Sequence, residues 1–297
     1  MNPGIAYALC AFTIWGLFPV YFKTLHQIPA LEMLAHRMAW SLVFIVLVLL
    51  VRHRWAWLRP ALSDKRLIAR FAASAVLLSA NWGIYIWAVN AGHIVEASLG
   101  YFINPLINVL FGYAFLRERL RAIQWCAVAV AALGVAWLTW QNGAPPWISL
   151  ALALTFGGYG LLRKTAQLGA LEGLALETVL LFPIAIVYLS IIGMAGASHF
   201  GSASLGIKLL LVAAGPITAV PLLLFAAAAR RIQLSMLGLI QYVTPTLQLL
   251  TGVLVYGEPF GSVRAIGYAA IWVALALYSF EGLRATLLAT RRARETA

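Results

Sequence analysis

"ALEMLAHR" at 30–37 and "ALEGLALE" at 170–177 open alike and lie 140 residues apart. The same offset brings Lys23 onto Arg163, Asn90 onto Arg230, Pro105 onto Pro245, Gly112 onto Gly252 and Glu118 onto Glu258, without gaps. Coincidences of Ala and Leu are cheap in an apolar chain. Ala-Leu-Glu together with a Pro-x12-Glu spacing, all in one register, is not. The chain reads as one unit written twice, and a repeat constrains the fold before any motif does.

Composition says what the unit is. Hydrophobic residues make up 63% of the 297 residues and charged residues 10%, with a mean hydropathy of +0.91. A soluble domain averages about 45–50% apolar and about 25% charged. Apolar runs of roughly 18–25 residues suit membrane-crossing helices rather than the short alternating strands of a barrel. Ten spans follow, at about 4–22, 31–51, 67–89, 94–116, 122–140, 147–162, 171–192, 206–229, 233–256 and 263–283. The fold class is all-α integral membrane. The first run is long and lacks a basic leader, so it reads as a true span and not a signal peptide. Each repeat, 1–143 and 144–297, holds five spans. Five is odd, so the second copy enters the membrane from the opposite face. Many secondary transporters share this inverted architecture.

The net charge of +12 invites a nucleic-acid reading, but its placement argues against one. Of 21 Lys and Arg, 17 fall in alternate loops: around 52–70, 117–121, 163–164, 230–231 and 284–294. The positive-inside rule then puts both termini in the cytoplasm. Contact with anionic lipid is the minor alternative.

Polar residues interrupt two spans in register. In "GYFINPLIN" (100–108), Ser98, Tyr101, Asn104 with Pro105, and Asn108 recur at three- to four-residue steps. In span 9, Ser235, Gly238, Gln241 with Tyr242, Thr244 with Pro245, and Gln248 do the same. Each proline frees the carbonyl four residues back, at Tyr101 and Gln241. Span 3 adds Asn81 and Tyr85, with Trp82 nearby, and the first span of each copy adds Trp15 and Tyr159. Two readings compete. The stripes line a central cavity, or they are kinked helices joined by amides. Their matching at the midplane favours the cavity.

Arg37 and Glu177 occupy equivalent repeat positions, each about seven residues into its span. At about 1.5 Å per residue each lies roughly 10 Å deep in a core about 30 Å thick. They are either a pair brought together by tilt or two half-gates of one cavity. An ionisable residue at such depth is a functional candidate. Glu177 and His36 are the proton-coupling candidates. Glu32 and Glu172 sit at span starts and suit a cap, whereas Glu118 and Glu258 read as end-of-helix ion pairs. Cys10 and Cys126 read as small packing residues, and no metal or cofactor is expected. HExxH, GxSxG and Walker A patterns are missing from the sequence, so an enzyme or an ATP-driven pump is disfavoured. A channel or scramblase-like passive pathway is the standing alternative to a carrier. The expected partners are the lipid bilayer and a small-molecule substrate, in a monomer or homodimer. The small-xxx-small pairs Ala127/Ala131, Ala265/Ala269 and Ala270/Ala274 suit close helix contact within the fold or between protomers.

Ten spans, two inverted halves and the Pro-x12-Glu signature resemble the EamA branch of the drug/metabolite transporter superfamily. Within it, "IWGLFPVYFK" (14–23), "NWGIYIWAVN" (81–90), "EASLGYFINPL" (96–106) and "QYVTPT" (241–246) are similar to the RarD subgroup. The resemblance covers essentially the whole chain. It implies a bacterial inner-membrane secondary transporter, an exporter of small metabolites or drugs. In it, spans 1–4 and 6–9 surround the cavity and spans 5 and 10 are peripheral.

Overall fold

A computed structural model describes residues 3–53, 55–116, 121–164, 167–229, 231–232 and 240–295. The described chain is helical throughout. The helices are α1 (Pro3–Gly16), α2 (Phe18–Thr24), α3 (Ala30–Arg52), α4 (Leu58–Ser63), α5 (Lys65–Asn90), α6 (Ile94–Leu116), α7 (Ala122–Asn142), α8 (Trp147–Lys164), α9 (Ala170–Met194), α10 (His199–Ser202), α11 (Leu205–Ala229), α12 (Val243–Leu250) and α13 (Ser262–Glu295). Seven helical stretches among the described residues are long and apolar enough to cross a membrane: Pro3–Thr24, Ala30–Arg52, Lys65–Asn90, Ile94–Phe115, Ala122–Gln141, Leu171–Met194 and Leu205–Phe225. Trp147–Arg163, Val243–Val255 and Ser262–Tyr278 are apolar but shorter. The start of the ninth expected span, with Ser235 and Gly238, lies outside the described residues, as does Glu118.

Local chemistry sets the helix ends. Asp64 caps α5 by accepting the Arg66 and Leu67 amides at 2.9 and 3.1 Å. α3 ends on His53 in the left-handed region, and α7 ends on Gly143 at φ 69°. Glu258 departs from the expected ion pair. Its carboxylate accepts the Ile94 and Val95 amides, both at 2.8 Å, and so caps α6 from a distant part of the chain. A carboxylate at a helix amino terminus meets both free N–H groups and the positive end of the dipole. Glu32 does the same for α10, accepting the His199 and Phe200 amides at 2.8 and 3.2 Å.

The proline helices differ. α6 runs without interruption through Pro105, whose side chain lies outside the described residues. The equivalent helix breaks at Tyr242, three residues before Pro245, and then passes into a π turn at Thr251–Val255. Such turns mark a local departure from regular packing.

α7 lies along α13, α6 along α8, and α1 and α3 both against α11; α3 also packs on α9, α5 on α8, and α12 on α6 and α1. The small-residue stripes meet each other inside the chain, with Gly134 of α7 against Ala270 and Gly267 of α13. At the α3–α11 crossing, a methyl on Gly215 would stand 2.3 Å from the Trp40 carbonyl. No Cβ tolerates that distance, so glycine is what lets these helices touch. Cys10 and Cys126 are free and exposed on the helix surface, not packed inside.

Candidate functional site

The two intramembrane charges do not meet. Each has its own surroundings, near its own interhelical turn.

Arg37, 4% exposed on α3, points into rings. Its guanidinium carbon lies 4.0 Å from the Trp82 ring centroid, 5.4 Å from that of Phe18 and 5.6 Å from that of Phe22. Its Nε donates to Thr218 Oγ1 of α11 at 2.8 Å. Nη1 is buried with no hydrogen-bond partner. The Phe22 ring also packs edge-on against Tyr85, at 5.9 Å, and Tyr85 packs against Tyr101 at 5.7 Å. The Tyr85 hydroxyl is likewise buried without a partner.

Glu177, fully buried on α9, sits among donors. Ser74 Oγ of α5 donates to Oε1 at 2.5 Å, and Arg163 Nη1 lies 3.9 Å from the same oxygen. The Tyr159 hydroxyl is close by. Arg163 is thus more than a topology charge. It turns inward across α9, stacks 5.4 Å from the Phe71 ring, and donates Nη2 to the Gly169 carbonyl at 3.2 Å. A methyl on Gly173 would fall 1.7 Å from its Nη1, so glycine opens the lane this side chain occupies.

The polar stripes are largely used as joints. Asn104 donates Nδ2 to the Ala153 carbonyl at 3.2 Å and accepts from Asn108 at 3.1 Å. Asn81 donates to the Leu152 carbonyl and to Thr155 Oγ1, at 3.0 and 3.1 Å, and accepts from the Tyr101 hydroxyl at 3.3 Å. Thr244 Oγ1 donates to the Phe12 carbonyl at 2.7 Å, and Gln248 Nε2 to the Trp15 carbonyl at 3.2 Å. Trp15 itself packs on Phe12 and Phe225, at 5.6 and 5.9 Å. Pro245 is buried, Gln241 half-buried, and Tyr242 packs into the apolar cluster of α6, α7 and α13. His36 is buried with Nε2 4.0 Å from Glu32, its ring against Phe200 at 4.9 Å.

The structure therefore brings Arg37, Tyr85 and Tyr101 together through the Phe22 ring, with Asn81 bonded to Tyr101, and sets Glu177 with Tyr159 apart. Thr218, Phe18, Phe22, Ser74 and Arg163 complete these two clusters without having stood out in the sequence. The i, i+4 spacing of Phe18 and Phe22 beside a buried arginine was the available signal. A pocket of about 260 Å³ lies elsewhere, between Trp87, Glu96, Trp147 and Arg264, and takes in none of the expected site residues.

Stacked apolar helices with charges held inside them define a multi-pass membrane protein. The EamA-like transporter family matches residues 2–140. An uncharacterized transporter of Pseudomonas aeruginosa is 49% identical over 96% of this chain and 95% of its own length. Protein RarD of Escherichia coli is 45% identical over 94% and 95%, and the uncharacterized transporter YojE of Bacillus subtilis 46% over 95% and 95%. A solved crystal structure, 17% identical, superposes with a TM-score of 0.60 over 92% of this chain and 96% of its own, a likeness of fold. The chain belongs to the EamA-like transporter family and groups within it with the RarD proteins.

Proposed function

We propose that the protein is a secondary transporter of ten membrane-crossing helices, in two inverted five-helix repeats, that exports a small molecule by alternating access. The repeats are 1–143 and 144–297, and both termini face the cytoplasm of a bacterial inner membrane.

One observation carries the reading: helix joints recur under the 140-residue offset. Asn104–Ala153 carbonyl and Thr244–Phe12 carbonyl correspond to within one residue. So do two tight packing points, Gly16 on Leu247 and Gly157 on Ile107. Whole helix pairs exchange as well. The α6–α8 contact corresponds to α12–α1, α3–α11 to α9–α5, and α1–α11 to α8–α5. Two halves that can trade packings give two states of similar energy with opposite openings. The buried charges mark the path between them. Glu177 is the leading group for proton exchange and His36 the second. The outward direction rests on the family resemblance.

The test begins with thermal-shift screening of the purified protein against amino acids, purines, nucleotides, sugars and chloramphenicol. Binding to the folded state raises the melting temperature. Hits go into proteoliposomes, where saturable counterflow is expected. Flux that neither saturates nor shows counterflow would replace the carrier with a passive pathway.

A further inference from the structure

Among the described residues, the acids leave one buried cation, Arg37, without a counter-ion. The chain has nine Asp and Glu, and seven have described side chains. All seven are engaged elsewhere. Glu32 and Glu258 hold helix amino termini, Asp64 caps α5, and Glu96 pairs with His93 and Arg264. Glu177 faces Arg163, Glu281 pairs with Arg121, and Glu172 has a partner of its own. Among the described residues, none stands within ion-pair distance of Arg37.

A guanidinium held out of water without an anion is costly. The ring faces of Trp82, Phe18 and Phe22 offset part of that cost. Thr218 satisfies Nε. Nη1 and the neighbouring Tyr85 hydroxyl remain buried donors with nothing to accept them. Native structures rarely leave two such donors in one cluster without a reason.

We propose that this cluster binds the carboxylate of the transported molecule. The inference rests on the transport reading above. The Arg37 guanidinium and the Tyr85 hydroxyl donate to the carboxylate oxygens, and the rings enclose the apolar part. Two unspent donors match a two-oxygen monoanion. A phosphate, with three acceptor oxygens and close to two charges, demands more donors than the cluster offers. A cationic ligand is repelled by Arg37. Arginine suits the role because its planar fork stays charged and meets carboxylates bidentately. The same asymmetry explains why Glu177 has its own arginine and Arg37 has no acid: the anion arrives with the cargo.

The test uses the purified full-length chain and three matched probes: 3-phenylpropionate, 3-phenylpropionamide and 3-phenylpropylamine. Each is supplied at about 10 mM and constant ionic strength, enough to fill a site with a dissociation constant of about 1 mM. The acid is expected to raise the melting temperature, and the amide and amine are not. Arg37→Gln should abolish the effect and Arg37→Lys should keep part of it. Tyr85→Phe, which removes only the hydroxyl, should weaken the acid by about tenfold or more. It also decides the matter if Arg37→Gln does not fold. Equal shifts by acid and amide, an acid effect that survives Arg37→Gln, or no shift by the acid would each overturn the proposal. Counterflow separates the two readings. An amide or amine that binds and exchanges breaks the carboxylate site and leaves the carrier standing. An Arg37-dependent acid that binds but never exchanges does the reverse.

Discussion

Arg37 and Glu177 share one register under the 140-residue offset, yet their surroundings differ. Glu177 has a cation, a hydroxyl donor and a tyrosine around it, all from the chain. Arg37 has one neutral hydroxyl and three ring faces. Both sites keep a buried polar atom without a hydrogen-bond partner, Glu177 Oε2 in the first and Arg37 Nη1 in the second, but among the described residues only the first has a counter-charge. The two charges are therefore not equivalent in chemistry, although they share one register.

Removing counter-charges should break the comparison most sharply. Arg163→Leu leaves the Glu177 carboxylate buried against the Ser74 and Tyr159 hydroxyls without a counter-charge and should cost about 3–5 kcal/mol of stability, read as a lower melting temperature. The double variant Arg163→Leu, Glu177→Leu should recover most of it. Arg37→Met removes a charge that has no acid beside it among the described residues, so the unliganded melting temperature should hold or rise. A large fall would show that Arg37 is a packing anchor and would close the gap between the two sites.

Backbone contact comes next. Gly215→Ala forces α11 away from the Trp40 carbonyl and, one turn on, carries Thr218 off Arg37. Overpacking of this kind costs about 1–3 kcal/mol, visible as a drop in both melting temperature and transport. Each hydroxyl then tests its own site. Thr218→Val and Ser74→Ala each remove one hydrogen bond to a charge, worth about 1.5–3 kcal/mol. Thr218→Val should act on ligand affinity and Ser74→Ala on stability, and equal effects from both would blur the distinction. The smallest expected change is Trp82→Leu. Losing one ring face should weaken binding by about 0.5–2 kcal/mol, measured as a shift in half-saturation for counterflow.

The structure also corrects how the sequence is read. Asn104, Asn108, Thr244 and Gln248 stand out in the sequence because polar side chains are rare in hydrocarbon. Their hydrogen bonds run to carbonyls and amides of adjoining turns and helices, so the same rarity serves joints. Arg163 looked like one more inside-positive loop charge. A long side chain near a helix end can face water or fold back, and only the open lane over Gly173 chose the second. Glu258 looked like half of an ion pair, but the nearest unsatisfied donors were the Ile94 and Val95 amides of a distant helix start.

The sequence by itself determined that this chain is helical and apolar enough for a membrane, which family it belongs to, and that Arg37 and Glu177 share one register. Those properties are local or periodic, written in composition, run length and a constant offset. Tertiary structure decided which side chains stand beside each charge. That choice depends on side chains 103 and 181 residues away along the chain, Ser74 beside Glu177 and Thr218 beside Arg37. No pattern within one helix encodes the residue that a neighbouring helix will place against it.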